Sequence, residues 1–171
     1  MTYGLLVLRL VIGGVIAAHG AQKLFGWFGG GGIDGTSKMF ASVGFRPPRP
    51  YVVLAGAAEL VGGLLLVVGF ITPLGAATVM GMMLAAIVTV HGPKGFSNTK
   101  GGWEFNATLI AAAWALAFTG PGRYSLDREA DLTLSGAGWG IAALGIAVVA
   151  NVAVLAARAV TVPRSAPAES N

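Results

Sequence analysis

Leu5 to Leu24 reads LLVLRLVIGGVIAAHGAQKL, an apolar run of bilayer length that nevertheless holds Arg9, His19 and Lys23. A helix of about 20 apolar residues matches the hydrocarbon thickness of a membrane. An ionisable side chain facing lipid near its centre costs about 2.5–3.5 kcal/mol or more. These three groups must therefore face protein, pair with other polar groups, or line a site. Further apolar runs follow at about 51–70, 74–91, 103–119 and 138–157. The pattern predicts an all-α membrane protein, a four-helix transmembrane bundle plus a fifth, C-terminal transmembrane helix. The chain of 171 residues is 55% hydrophobic and 11% charged, whereas soluble domains carry roughly 25% charge.

The connections differ in kind. Ile71–Pro73 reads as a tight turn, so the second and third spans form an antiparallel hairpin. The first loop carries a tetraglycine, Gly29–Gly32, and the prolines Pro47, Pro48 and Pro50, with room for a short interfacial helix near Ser37–Val43. Trp27, Phe28 and Trp103 flank spans and read as interfacial anchors. Residues 1–162 are expected to form one integral membrane domain and 163–171 a disordered tail. The first run has no basic leader and is interrupted by Arg9, so it is expected to stay as a span rather than serve as a cleaved signal.

Lysine and arginine are divided unevenly between the two sides of a five-span topology. Lys23, Lys38, Arg46, Arg49, Lys94, Lys100, Arg158 and Arg164 fall on one side, and Arg9, Arg123 and Arg128 on the other. The positive-inside rule then places the N-terminus outside and the C-terminus in the cytoplasm. The net charge of +4 reports this topology. No stripe of basic residues interleaved with aromatics offers a nucleic-acid surface. The chain has no cysteine, which excludes disulfide exchange and an iron–sulfur cluster held by its own thiolates.

Loop counting alone places several polar residues at one depth. His19, Gln22 and Lys23 end the first span, Glu59 lies about two turns into the second, His91 ends the third, and Glu104 and Asn106 begin the fourth. His19, Lys23, Glu59, His91 and Glu104 are thus the candidate site residues, sharing one half of the membrane. Glu59 lies on a stripe with Gly56 and Gly63, and the first helix offers Gly13, Ala17 and Gly20. Small residues at this spacing let helices approach closely, which turns Glu59 inward. Two uses stand side by side. Glu59 neutralises Lys23 or His19 and locks the packing, or the cluster receives a small polar headgroup such as a quinone, or a proton path. Arg9 is about 40° from Lys23 in helical phase and faces inward at the opposite end, where Asp127, Glu129 and Asp131 emerge.

His19 and His91, on different helices, have ligand chemistry for haem or another metal, but neither spacing is specific and haem is disfavoured. A featureless optical spectrum excludes it. No metal centre is assigned. Met80, Met82 and Met83 read as packing filler. GGGGIDG lacks the lysine and the strand–loop–helix setting of a phosphate loop. No nucleophile elbow, zinc-protease or Cys-x-x-Cys motif occurs, so no catalytic residue is assigned.

Five segments taken in order resemble the DoxX family: HGAQKLFGWFGG at His19–Gly30, AELVGGLLLVVGFITPLGA at Ala58–Ala76, HGPKGF at His91–Phe96, GGWE at Gly101–Glu104 and GPGRYSLD at Gly120–Asp127. The resemblance covers about residues 5–127 and implies a small bacterial integral membrane protein with a four-helix core, beyond which the fifth helix extends. It also implies a redox setting. One related branch resembles small subunits of a thiosulfate:quinone oxidoreductase. A mycobacterial member is described as the membrane part of an oxidoreductase complex with a superoxide dismutase and a thiosulfate sulfurtransferase. By this resemblance the chain is expected to be a membrane subunit of a redox or oxidative-stress complex in the bacterial cytoplasmic membrane. The alternatives are a non-enzymatic scaffold that recruits soluble partners through its basic loops, and a small transporter, for which a homo-oligomer would be needed.

Overall fold

The computed structural model describes residues 2–161. The expected tail at 163–171, and Arg164 with it, lie outside the described residues. The elements in chain order are α1 (Thr2–Phe25), α2 (Gly32–Ser42), α3 (Pro48–Val68), α4 (Thr72–Ala86), α5 (Glu104–Thr119), α6 (Leu126–Glu129) and α7 (Ala137–Thr161). The protein is an all-α membrane protein. Among the described residues, Tyr3–Phe25, Pro48–Val68, Thr72–Lys94 and Ala137–Val160 are long and apolar enough to cross a bilayer. The fifth apolar helix, α5, has 16 residues, or about 24 Å of rise, against a hydrocarbon core of about 30 Å. The expected interfacial helix is present as α2 and begins earlier than its sequence signal, inside the glycine run at Gly32.

Helix ends follow local chemistry. Pro48 and Pro50 occupy the first turn of α3, where a missing N–H costs nothing. The same helix stops at Gly69, whose φ of 65° lies in the left-handed region. The Gly69 and Phe70 N–H groups donate back to the Leu66 and Leu65 carbonyls at 3.1 and 2.9 Å, a Schellman closure. The turn therefore spans Gly69–Ile71, slightly ahead of the expected Ile71–Pro73. Thr72 and Pro73 already belong to the first turn of α4, a position proline favours.

α1 and α3 pack antiparallel with almost no side chain between them. A Cβ built on Gly13 would sit 2.6 Å from the Gly63 carbonyl, and one on Gly63 would sit 2.5 Å from the Ala17 nitrogen. One on Gly20 would sit 2.6 Å from the Gly56 carbonyl. This small-residue seam is the one expected from the Gly13, Ala17, Gly20 and Gly56, Gly63 stripes. α4 returns along α3, and α5 and α7 both pack on α4 and on each other. Ile16, Leu66, Val79, Met80, Leu116 and Ala143 form the buried centre. α2 lies across α1 and α3. At the start of α7 the Trp114 indole N–H donates to the Gly140 carbonyl at 3.0 Å.

Candidate functional site

The buried charges separate into two clusters at opposite ends of the bundle. At the end where α1 begins, Arg9 is fully buried. Its guanidinium donates to the Leu66 and Val67 carbonyls, each at 3.4 Å, and to the Tyr124 carbonyl. Those first two carbonyls belong to the last turn of α3, where helical acceptors run short of donors, and the Leu66 carbonyl is shared with the Gly69 N–H. Asp127, 1% exposed, does the converse for α4. Its carboxylate accepts the Ile71 N–H at 2.7 Å, the Thr72 N–H at 3.0 Å and the Thr72 hydroxyl at 2.7 Å. A negative group at a helix N-terminus and a positive one at a C-terminus both oppose the helix dipole. One turn is thus clamped by a cation on its incoming helix and an anion on its outgoing one. Asp127 is also the opposite charge acting on Arg9. Ile71 has φ of 43°, rare for a β-branched residue, and its N–H is held by that same carboxylate. Arg9 is thus bonded to three main-chain carbonyls, with the Asp127 charge acting on it without direct contact.

Beside this clamp the Tyr3 and Tyr124 hydroxyls lie 3.3 Å apart. The hydrogen bond with Tyr3, and secondarily desolvation, holds the Tyr124 phenol above its ordinary value. The raised value means that the bond favours the neutral phenol. It is fully present below the ordinary phenol range and is lost as pH rises through the folded-state value. Tyr3→Phe is expected to move the Tyr124 phenolate transition to lower pH, read by ultraviolet titration of the folded protein. An unmoved transition contradicts the assignment.

The other cluster is the candidate site. Lys23 Nζ pairs with Glu59 Oε2. The Glu59 side chain is 3% exposed and that of Lys23 20% exposed. The pair sits at one end of a groove of about 400 Å³ between α3, α4 and α7, roofed by α2. The walls are largely alanine and valine with the aromatic rings of Phe40, Phe45 and Tyr51, and His91 and Asn151 join Lys23 and Glu59 among the lining residues. A volume of this size falls within the range of small-molecule sites.

His91 reaches the groove because the final turn of the α4 segment widens. Ile87–His91 form a π-helical turn, a distortion frequent at functional sites. Gly92 follows, where a Cβ would sit 2.8 Å from the Ile87 carbonyl. His91 Nδ1 lies 2.7 Å from the Gly101 carbonyl. A carbonyl only accepts, so Nδ1 carries a proton and Nε2 is the ring nitrogen left to face the groove.

Of the five residues selected from sequence, the structure brings Lys23, Glu59 and His91 to this groove. His19 and Glu104 turn elsewhere. His19 Nδ1 bonds Gln22 Oε1 at 2.9 Å, and Gln22 Nε2 donates to the Phe28 carbonyl at 3.3 Å, which ties α1 to the following loop. Glu104 accepts the Asn98 N–H at 2.6 Å and braces the loop before α5. Met80 and Met83 are core residues, and Met82 lines the groove. Among the described residues, no three His, Asp or Glu side chains converge as a metal-ligand set. Sequence reasoning missed Asn151, whose amide donates to the Gly81 carbonyl at 2.7 Å and pins α7 to α4. Its signal was visible as the lone amide in the last apolar run.

Fold and groove together define a small multi-pass helical membrane protein with a lateral apolar groove ending in an ion pair. The chain belongs to the DoxX family, which it matches over residues 4–92. It is 32% identical over 124 residues to "Putative oxidoreductase CatD" of Bacillus subtilis, covering 72% of this chain and 84% of that one. It is 30% identical over 131 residues to inner membrane protein YphA of Escherichia coli, covering 73% and 89%. A third relative is the uncharacterized membrane protein Rv3486 of Mycobacterium tuberculosis, 28% identical over 134 residues, covering 71% and 78%. No solved structure matches the chain significantly. The family match ends at the π turn, so α7, one wall of the groove, lies outside it.

Proposed function

We propose that this protein is a membrane subunit of an oxidoreductase system and that the ion-paired end of the groove receives the headgroup of a quinone. The observation that carries this reading is that Lys23, Glu59 and His91 all line one apolar groove. A quinone ring needs a donor for its carbonyl oxygens and an acceptor for its reduced hydroxyls. The Lys23 ammonium supplies donors, and the Nδ1–H tautomer of His91 would supply an acceptor at Nε2. Glu59 holds the ammonium in place within an otherwise apolar wall. The word oxidoreductase in the name of the Bacillus relative supports the same setting. Lys38, Arg46, Arg49, Lys94 and Lys100 flank this end of the bundle. On the positive-inside rule it faces the cytoplasm of a bacterial cell, with the N-terminus outside. Soluble redox partners would then meet the protein on this basic face.

Glu59→Gln keeps the shape and removes the charge. Purified variant protein is expected to retain about tenfold less quinone than wild type, a loss of ~1.4 kcal/mol in binding, with an unchanged helical circular-dichroism signal. Equal retention by the two proteins overturns the reading. Loss of fold together with retention assigns the pair to packing alone.

A further inference from the structure

The groove is closed at its loop end and open at its flank, and these two features decide how a ligand reaches it. At the loop end Arg158 of α7 crosses to the segment joining α2 and α3. Its Nε donates to the Val43 carbonyl at 2.7 Å, and its guanidinium lies 5.6 Å from the centre of the Phe45 ring. Phe45 itself is buried, 4% exposed, and stacks between Phe40 and Tyr51 at ring separations of 5.1 and 5.0 Å. This aromatic strap tied by Arg158 shuts the groove toward the loops.

The flank is different. α3 and α7 both pack on α4 and scarcely touch each other. Groove-lining residues on both sides of that gap face outward: Leu54 on α3 is 58% exposed and Ile146 on α7 is 49% exposed, and Ala150 is exposed beside Ile146. These positions lie inside segments long and apolar enough to cross a membrane. The mouth therefore opens onto the acyl chains of the bilayer.

We infer that the gap between α3 and α7 is a lateral portal, through which the ligand reaches the ion pair from the bilayer and through which its hydrocarbon tail remains threaded while the head is bound. The inference rests on the quinone reading above and deepens it. The occupant is a quinone with a long alkyl or isoprenoid chain. Lipid tails are as apolar as the groove walls, so the tail gains little from leaving the membrane. What the portal supplies is passage: a tailed ligand fits only while the mouth stays clear, and alanine at position 150 keeps it clear. A tail-free ring sits wholly behind the mouth.

Two probes of identical ring chemistry separate the portal from the head site: a decyl-substituted benzoquinone and the same ring with methyl in place of decyl. Retention of each radiolabelled probe is measured at equilibrium on protein in lipid nanodiscs against empty nanodiscs. Membrane partitioning cancels when variant and wild type are compared with the same probe. Ala150→Trp is expected to weaken retention of the decyl probe about tenfold and to leave the methyl probe unchanged. Ile146→Trp, at the same lip, is expected to repeat the pattern, and a matching circular-dichroism signal excludes misfolding. Glu59→Gln weakens both probes. If both mouth variants hold both probes as wild type does, or lose both equally, the portal is overturned while the head site stands. If wild type retains neither probe, the quinone reading falls and the portal with it.

Discussion

Asp127→Ala is expected to destabilise the folded protein by about 3–5 kcal/mol, the range for removing one partner of a buried charge cluster. The substitution deletes the acceptor of two main-chain N–H groups and one hydroxyl at the start of α4. It also removes the negative charge that acts on Arg9, which is fully buried and left with main-chain carbonyls alone. Unfolding by SDS titration, followed by circular dichroism, reads the loss. Asp127→Asn keeps an acceptor oxygen and drops the charge, so a smaller cost of about 1–3 kcal/mol follows. Arg9→Met in the Asp127→Ala background removes the stranded cation. The double variant is therefore expected to cost less than the two single losses added together. A shift below about 1 kcal/mol for Asp127→Ala contradicts the clamp.

The second large effect lies in the α1–α3 seam. Gly63→Val places a branched side chain where a Cβ would already meet the Ala17 nitrogen and the Gly13 carbonyl, each at 2.5 Å. Both obstacles are backbone, so no rotamer change relieves the contact, and the helices must part. A loss of about 3 kcal/mol or more is expected, at or beyond the upper end for overpacked sites. Separation of α1 from α3 also pulls Lys23 from Glu59, so groove occupancy falls with stability. Gly14→Ala is the matched control. It lies on the same helix with nothing within 4 Å of a built Cβ, and it is expected to be neutral or slightly stabilising, because alanine is the better helix former. Equal damage from the two substitutions removes the seam as the cause.

The helical bundle was legible because hydrophobic run length and glycine spacing are local properties of the chain. Gly13, Ala17 and Gly20 announce a close approach before any partner is known, and Gly56 and Gly63 answer them one span later. The site was legible only to the level of membrane depth. Counting loops puts His19, Lys23, Glu59, His91 and Glu104 in the same half of the bilayer, but depth does not give azimuth. His19 and Lys23 are one helical turn apart. Yet Gln22 draws the imidazole toward the Phe28 carbonyl, while Lys23 pairs with Glu59. The π turn that delivers His91 has no sequence signal beyond the Gly92–Pro93 that ends it. Arg158 counted only as a topology marker, because its attachment to Val43 depends on how α7 returns along α4. Asp127 stood among three candidate acids at the far end, and only the turn geometry at Ile71 and Thr72 selects it.

The clamp around the α3–α4 turn also orders the birth of the protein. Arg9 is made before all of its acceptors, which include a carbonyl 115 residues further along the chain. The hairpin that α3 and α4 form could close as soon as both are synthesised. Its Ile71 and Thr72 amides nonetheless wait for Asp127, which arrives only after α5 has been made. Until then Arg9 has only the Leu66 and Val67 carbonyls of α3 as acceptors. The GPGRYSLD segment is therefore the last part of the clamp to be made, and it joins contacts that α1, α3 and α4 cannot complete among themselves.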